Sequence, residues 1–328
     1  MFKKLSLFAF VTFLSLTLFS WSQPQAWAQP LQNVPIHAQQ DCVVIDNDFD
    51  IDDMMAIPLV MANKHVAAII TTEGYTLADL GGSALARLIA QPDNMNPVPV
   101  IVGASYPGTR DVRQWPWLLE MRATMHRANM LFSGPLPQLG LNEPFETRII
   151  KAVEQCKRIT VLVLGPFTSF VRYSPLIHDR ITSVVMSGKA VHNHVTGTKN
   201  KIGFNCGYDL VACNLAFTQL QSLQATWVEV PRQAQPPYSP TSAMVKGLLS
   251  TGLPGSLKQA LLSHEKSWRL DLLTGGNKSL LWDQLAAMYL LHPELYHHVS
   301  SHMEPTVSAL EIQRLWTKDT NATRPLSN

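Results

Sequence analysis

The sequence predicts an α/β fold, a doubly wound domain with a mainly parallel central sheet and helices on both faces. Short apolar runs rich in Val and Ile alternate with segments of helical periodicity along most of the chain. The runs are apolar at consecutive positions, which is typical of strands buried on both faces of a parallel sheet. A length of 328 residues, 46% of them hydrophobic, is enough for one large domain with a sizeable core.

The elements follow one another in the order that βαβ units require. CVVID (42–46) is the first predicted strand, and the helix at 52–61 carries Asp52 and Asp53 in its first turn, where acids favour the helix dipole. Residues 104–145 are irregular, and we interpret this long insertion as a functional lid. Further strands are predicted at 66–72, 98–103, 159–165, 181–188 and 225–230, and further helices at 77–90, 148–156 and 168–173.

Met1–Ala28 is typical of a secretory signal peptide. Two lysines precede the apolar stretch LSLFAFVTFLSLTLFSW, and Ala26-Trp27-Ala28 fits the small-x-small cleavage rule. An uncleaved anchor is the alternative, but the apolar run is short of the ~20 residues that a span needs. We therefore expect a secreted protein, periplasmic or extracellular, with no stable membrane anchor after cleavage. Its mature chain, 29–328, is expected to be a single domain with a loose polar tail from about 317.

The charge balance argues against a polyanionic partner. Removing the two lysines of the signal from the 26 basic residues leaves 24, which equals the 24 acidic residues. A neutral chain lacks the excess of positive charge that attracts nucleic acid or anionic lipid. A small-molecule partner is therefore expected, and assembly into a homo-oligomer is left open.

Four cysteines could form disulfides in an oxidising compartment: Cys42, Cys156, Cys206 and Cys213. Three connectivities are available, and the sequence selects none of them. Because Cys42 opens an apolar run, a buried free thiol is the simpler interpretation of this residue, and the pairing is left open. No Cys-x-x-Cys or Cys/His spacing indicates a zinc site.

Five acids lie within eight residues at the end of the first predicted strand: Asp46, Asp48, Asp50, Asp52 and Asp53. The carboxyl edge of an open α/β sheet is where ligands bind. Carboxylates this close repel one another unless a hard cation lies among them, so the cluster predicts a metal site.

Two other interpretations of these acids are weaker. An EF-hand loop needs Gly and Glu where this chain has Ile51 and Ile57, so we reject it. A phosphatase with an aspartyl-phosphate intermediate also begins Asp-x-Asp after a strand, but no Gly-Asp-x-x-x-Asp segment follows. It remains a minor alternative.

The segment VVIDNDFDIDDMMAIPL resembles the amino-terminal signature of the nucleoside hydrolases of the inosine–uridine type, which is Asp-x-Asp-x-Gly-x-Asp-Asp after a strand. The resemblance extends over most of the mature chain. Five later segments resemble family segments in the same order: VAAIITTEGYTLADLGGSALARLI, VPVIVGASYPGTR, ITVLVLGPFTSF, ITSVVMSGKA with GFNCGYD, and LLWDQLAAMYLLHPELY.

The resemblance implies hydrolysis of the N-glycosidic bond of ribonucleosides, with Ca²⁺ as the cofactor. By the match, Asp48 and Asp53 bind the ion, Asp48 also takes the proton from water, and Asp283 is the distant ligand. Leu164 occupies a position whose backbone carbonyl binds the metal, and Asp46 is implied to support the site. A bound divalent ion lowers the pKa of its water, which makes a carboxylate a sufficient base.

Asp52 and Asn205 match residues that contact ribose, but the surrounding positions depart from the family pattern. Asp50 stands where Gly is usual, which predicts an awkward backbone at a non-glycine residue. Tyr75 stands in place of an Asn, and Gly203 in place of a substrate-binding Glu. The metal-binding positions are thus retained, while those that contact ribose and the base are altered.

Other side chains could replace the lost contacts. Trp282 precedes Asp283 where many members have a His that protonates the leaving base, and both Trp282 and Tyr75 offer a flat face for stacking. His194 is a candidate acid for the leaving group. For His192, Trp115 and Trp117, surface or core roles are the favoured interpretation.

The sequence therefore predicts a secreted, Ca²⁺-dependent hydrolase of ribonucleosides or related N-ribosides. One alternative is a hydrolase of the same fold that acts on another glycosyl substrate. The other is a member without turnover that binds a nucleoside or a sugar. Retention of Asp48, Asp52, Asp53 and Asp283 favours turnover.

Overall fold

Eight strands form one sheet in the part of the chain that the computed structural model describes, which is residues 40–50, 52–89, 98–107, 118–119, 122–123, 139–188, 202–231, 233–235, 238 and 280–320. In chain order the strands are β1 (Gln40–Asn47), β2 (Val66–Thr71), β3 (Val100–Val102), β4 (Cys156–Val163), β5 (Ile181–Ser187), β6 (Gln224–Val228), β7 (Tyr296–Val299) and β8 (His302–Pro305).

The described α-helices follow the strands that they connect. They are α1 (Asp53–Asn63), α2 (Ala78–Ile89), α3 (Phe145–Ala152), α4 (Phe170–Ile177), α5 (Phe204–Tyr208), α6 (Leu210–Leu220), α7 (Trp282–Leu291) and α8 (Ala309–Thr320). None of the described helices is both long and apolar enough to cross a membrane.

The strand order is β3-β2-β1-β4-β5-β6-β8-β7. All pairings are parallel except β7 with β8, which is antiparallel. The chain builds outward from β1 to β2 and β3, and then returns to place β4 on the other side of β1. The order therefore reverses between β1 and β4, which makes their carboxyl ends the topological switch point of the sheet.

Alternate residues of β1 enter two different cores. Val43 and Ile45 belong to the cluster that α1, α2, α7 and α8 cover, whereas Cys42 and Val44 belong to the cluster that α3, α4 and α6 cover. Because helices bury both faces, the central strands must be apolar at every position. This arrangement confirms the predicted doubly wound fold with a mainly parallel sheet.

The structure corrects two element predictions. The helix predicted at 148–156 begins earlier and ends at Ala152, because Cys156 already starts β4. The loose tail predicted from about 317 is wrong for residues 317–320, which belong to α8. That helix is held by Trp316, whose side chain is fully buried and whose Nε1 donates a hydrogen bond to the Met55 carbonyl at 2.8 Å. The predicted signal peptide and most of the predicted lid lie outside the described residues.

The four cysteines pair as Cys42–Cys156 and Cys206–Cys213. The interpretation of Cys42 as a buried free thiol is therefore wrong. Cys156, the first residue of β4, pairs with Gln40 of β1, two residues before Cys42, so the parallel strands bring together two cysteines that are 114 residues apart. A pairing over that distance depends on the strand order, which local sequence does not show.

We expect loss of the Cys42–Cys156 bridge to destabilise the fold more than loss of the other bridge. A chain-entropy estimate gives roughly 4–5 kcal/mol for a loop of about 100 residues and about 2 kcal/mol for a loop of seven. The measurement is urea unfolding of Cys42→Ser/Cys156→Ser beside Cys206→Ser/Cys213→Ser. Equal free energies of unfolding, or the reverse ranking, would contradict this expectation.

Candidate active site

Four buried carboxylates meet at the switch point, although they come from distant parts of the sequence. Asp48 directly follows β1, Asp52 and Asp53 open α1, and Asp283 is the second residue of α7. Their exposed fractions are between 0 and 6%. The structure thus brings together the four acids that the sequence predicted to act at one site.

The helix α7 is joined directly to the acidic loop. The backbone N–H of Asp283 donates a hydrogen bond to Asp52 Oδ2 at 3.0 Å. Because the first N–H groups of a helix have no partner within it, a carboxylate there satisfies a free donor and favours the helix dipole. Asp52 therefore fixes the helix that carries Asp283, across 231 residues of sequence.

Asp48 is held by the loop that follows β2. Its Oδ2 accepts the backbone N–H of Tyr75 at 2.8 Å, and its backbone carbonyl accepts both the N–H and the hydroxyl of Thr76. Two glycines allow this close approach. A Cβ built on Gly74 would overlap Asp48 Oδ2, and one built on Gly165 would lie 2.8 Å from the Asp48 nitrogen. No residue larger than glycine fits at either position without moving Asp48.

Asp46 lies within a hydroxyl network on the other core face. Its Oδ1 accepts the Thr72 hydroxyl at 2.5 Å, and Thr72 is hydrogen-bonded to Ser169, whose oxygen also accepts the Ala104 N–H. This network ties the ends of β1, β2 and β4 together behind the acidic loop. The structure is thus compatible with the supporting role predicted for Asp46.

Leu164 and Asn205 also meet at this edge of the sheet. Asn205, on α5, donates a side-chain hydrogen bond to the Leu164 carbonyl at 2.7 Å. The Leu164 N–H donates to the Asp46 carbonyl at 2.7 Å, which continues the β1–β4 ladder past its last paired residues. Asn205, which is predicted to contact ribose, is therefore hydrogen-bonded to the Leu164 carbonyl, which is predicted to bind the metal.

Burial raises the pKa of every carboxyl in the cluster. The pKa of Asp46 and of Asp48 rises from 3.8 to about 7, with burial as the main cause in both. The pKa of Asp53 and of Asp283 is raised well above its ordinary value by burial and then by the charges of neighbouring aspartates. The site therefore resists carrying its full negative charge unless a positive charge is added.

We expect the metal-free protein to lose stability from this cluster as the pH rises from about 4 to about 7. The folded state holds protons on Asp46 and Asp48 in that range, while the unfolded chain has already released them, so folding is disfavoured with rising pH. Thermal melting in a chelator measures the effect. The Tm of Asp48→Asn minus the Tm of the wild type should increase as the pH rises. A Tm difference that stays constant with pH would contradict the expectation.

The donor chemistry of the cluster fits a hard cation. All the side-chain donors are oxygens, and Asp53 Oδ1 is buried without a hydrogen-bond partner among the described residues. No described Lys, Arg or His forms an ion pair with these aspartates. Within the described ranges, however, no three His, Cys, Asp or Glu side chains already form a metal-holding group. Binding an ion would therefore require the carboxylates to draw together.

The unusual backbone predicted for Asp50 lies one residue earlier. Among the described non-glycine residues, positive φ occurs at Phe49 (56°) and Ser300, not at Asp50. The Phe49 side chain is fully buried, and its N–H donates to Asn47 Oδ1 at 3.1 Å, which stabilises the turn. The Asp50 N–H donates to Asp53 Oδ2 at 2.8 Å, so the backbone at this position orients a predicted metal ligand.

The sequence profile described as Inosine-uridine preferring nucleoside hydrolase matches residues 43–323. The chain belongs to this family. No curated protein sequence matches the chain.

Solved nucleoside hydrolases share the fold. An Inosine-Guanosine Nucleoside Hydrolase aligns with a TM-score of 0.64 at 15% identity, over 87% of this chain and 100% of its own. A purine-preferring ribonucleoside hydrolase from Gardnerella vaginalis aligns with a TM-score of 0.61 at 18% identity, over 85% of this chain and 98% of its own. An inosine-uridine preferring enzyme from Bacillus anthracis gives 0.57 at 13% identity, over 86% and 99%.

The structure describes two of the residues that the sequence predicted to contact the substrate in this member of the nucleoside hydrolase family, Trp282 and Tyr75. Trp282 is half-buried at the start of α7, next to Asp283. The Tyr75 side chain is only 6% exposed and packs in the core that α1 covers. Its backbone N–H donates to Asp48 Oδ2. A stacking role for either ring stays a prediction. His192, His194, Trp115 and Trp117 lie outside the described residues.

Several residues of this candidate site were not predicted. Gly74, Gly165 and Thr72 touch the aspartates, and Ser169 is hydrogen-bonded to Thr72. Thr72 and Gly165 are the last residues of predicted strands and Gly74 follows one, so their position at the carboxyl edge was the available signal. Their contacts with particular aspartates depend on the register between strands, which the sequence alone does not show.

Proposed function

We propose that this chain hydrolyses the N-glycosidic bond of ribonucleosides or related N-ribosides, and that it depends on Ca²⁺. The observation that carries the proposal is the meeting of Asp48, Asp52, Asp53 and Asp283 at the switch point of the sheet. The family match and the folds of the solved hydrolases support the same reaction class.

Asp53, Asp48 and Asp283, with the Leu164 carbonyl, would hold the ion, because their oxygens suit a hard cation. A bound Ca²⁺ supplies Lewis-acid assistance to the attacking water and to the ribose hydroxyls. In the metal-free protein, burial raises the pKa of Asp48 to about 7. A bound Ca²⁺ would lower that pKa and keep the carboxylate ionised, so that it could accept a proton from water at neutral pH.

The chain's own residues then divide the work. Asp48 accepts a proton from water as the water oxygen bonds to the anomeric carbon of ribose. The glycosidic bond breaks, and the base leaves with the bonding electron pair and is protonated. Asp52 accepts a hydrogen bond from a ribose hydroxyl, and the Asn205 amide contacts ribose beside the Leu164 carbonyl. The products are free ribose and free base.

A panel of substrates tests the proposal. The purified protein is incubated with Ca²⁺ and with purine nucleosides, pyrimidine nucleosides, nucleotides and other glycosides, and released base and reducing sugar are measured. Release from ribonucleosides is expected. Because Gly203 offers no side chain to the sugar, release from another glycoside alone would favour the second candidate, a hydrolase of the same fold with a different glycosyl substrate. Binding of a compound without release of base or sugar from any member of the panel would contradict the proposed hydrolysis.

We also propose that the protein is secreted. The two disulfides of the described residues are of a kind that persists in oxidising compartments, and this supports the interpretation of Met1–Ala28 as a signal peptide. Amino-terminal sequencing of the mature protein tests the proposal. A first residue of Gln29 is expected, and an intact Met1 would overturn it.

The leaving base must be stacked or protonated. Trp282 is the candidate for stacking, and His194 is the candidate for protonation. Trp282 lies beside Asp283, so we expect Trp282→Ala to lower turnover about tenfold, as loss of one stacking contact does. His194→Ala should lower turnover less. Steady-state kinetics of both variants measure the two losses of turnover. A larger loss in His194→Ala would indicate that His194 is the general acid.

A further inference from the structure

One peptide group joins Asp48 to a partly buried arginine. The unit between Gly74 and Tyr75 donates its N–H to Asp48 Oδ2 at 2.8 Å, and its carbonyl accepts a hydrogen bond from Arg122 Nη2 at 2.7 Å. The guanidinium and the carboxylate therefore lie at opposite ends of the same amide. A guanidinium that donates to the carbonyl oxygen draws electron density away from the N–H of the same peptide group. This strengthens the hydrogen bond that the N–H donates.

Arg122 is held in place by a second set of contacts. Its Nη2 also donates to the Tyr208 hydroxyl at 2.8 Å and lies 3.4 Å from Glu73 Oε1. Tyr208 donates in turn to the same Glu73 oxygen at 2.6 Å, and Glu73 Oε2 accepts the Tyr106 N–H at 3.1 Å. The side chains of Arg122 and Glu73 are 17% and 11% exposed, so water competes little for these bonds.

The glycine at this point makes the connection rigid. A Cβ on Gly74 would overlap Asp48 Oδ2 and would lie 2.7 Å from Pro166, so the peptide is pressed directly against the carboxylate. The Gly74 N–H is bonded to the Thr76 carbonyl at 3.0 Å, which closes the turn. Movement of this peptide therefore moves the acceptor position of Asp48.

We propose that Arg122 is a positioning residue for Asp48, acting through the Gly74–Tyr75 peptide, with Glu73 and Tyr208 as its anchors. The arginine is hydrogen-bonded to the Gly74 carbonyl, so it acts on Asp48 through the peptide. It holds and polarises the amide whose N–H donates to Asp48 Oδ2. The kinetic part of this proposal rests on the function proposed above.

Arg148 offers a matched control. It is also a partly buried arginine, and its Nη2 donates to a backbone carbonyl, that of Val100, at 2.8 Å. Val100 lies on β3, which pairs with β2 and is separated by β2 from β1 and its aspartates. Arg148→Gln therefore removes an arginine–carbonyl bond of the same type without reaching Asp48.

The kinetic test compares Arg122→Gln, Arg122→Lys and Arg148→Gln. We expect Arg122→Gln to lower kcat about tenfold to a hundredfold with little change in KM, since a small misplacement of a catalytic group has effects of this size. Arg122→Lys should recover part of kcat, and Arg148→Gln should stay near the wild type. A rise in KM at unchanged kcat would instead make Arg122 a substrate ligand and would overturn the proposal.

A spectroscopic test does not depend on turnover. Only 7 tyrosines are present, so ¹⁵N-tyrosine labelling of the full chain gives a small set of amide signals, and Tyr75→Phe identifies the Tyr75 signal by its loss. We expect Arg122→Gln to move the Tyr75 amide proton upfield, and Arg148→Gln to leave it in place. An unmoved Tyr75 signal in folded Arg122→Gln would refute the relay, even if the substrate panel shows no hydrolysis and the proposed function has failed separately.

Discussion

Asp48→Asn is expected to lower turnover by ~10²–10⁴, the range typical of losing a positioned general base. The substitution keeps the shape of the side chain, and the amide oxygen can still accept the Tyr75 N–H, but the site that takes the water's proton is lost. The folded state should survive, because removing one charge relieves repulsion from Asp52 and Asp53.

Two variants serve as controls for this result. Asp179→Asn removes a fully exposed carboxylate far along the chain from the cluster and should leave turnover unchanged. Asp50→Gly restores the residue that is usual in the family and keeps the backbone N–H that Asp53 accepts, so activity should be kept or raised. Both are measured as kcat on the best substrate of the panel. Asp48→Asn with near-native turnover would remove the proposed mechanism.

Gly74→Ala is expected to lower turnover about a hundredfold, the cost of displacing a catalytic group by about 1 Å. The added methyl would lie 2.2 Å from Asp48 Oδ2 and 2.7 Å from Pro166, so Asp48 must move. Gly82→Ala is the control, since its methyl would lie 2.9 Å from Val102 and 3.0 Å from the Thr71 hydroxyl, and none of its three nearest atoms belongs to an aspartate. That variant should lose Tm by overpacking but keep its kcat.

Thermal melting and kinetics together separate the two causes in the Gly74 experiment. Equal losses of Tm with a loss of kcat only in Gly74→Ala would support the packing argument. Equal kcat in the two variants would show that Asp48 tolerates the methyl, and the account of its positioning would be wrong.

The sequence predicted the fold and the acidic loop because both depend on local patterns. Apolar runs buried on both faces required a parallel sheet, and acids after β1 had to lie at its carboxyl edge. The placement of Asp283 beside Asp52 came from the family resemblance, since no local pattern joins residues 231 apart.

The remaining features depend on contacts between distant segments. The Cys42–Cys156 bridge follows from β1 lying beside β4, and the ordered end of α8 follows from Trp316 packing under α1. The left-handed turn lies on Phe49 because Asn47 and the surrounding core stabilise it there. Arg122 falls in a stretch without periodicity, so its bond to the Gly74 carbonyl had no sequence signal.

The most direct test of the account is the release of ribose by metal-stripped protein as free Ca²⁺ is restored. The substrate is the best ribonucleoside of the panel, and reducing sugar and base are measured together in phosphate-free buffer. The account predicts negligible release in chelator, a return of activity that saturates with Ca²⁺, and equal amounts of ribose and base. Full activity without any divalent ion, or no release from any riboside at saturating Ca²⁺, would contradict it.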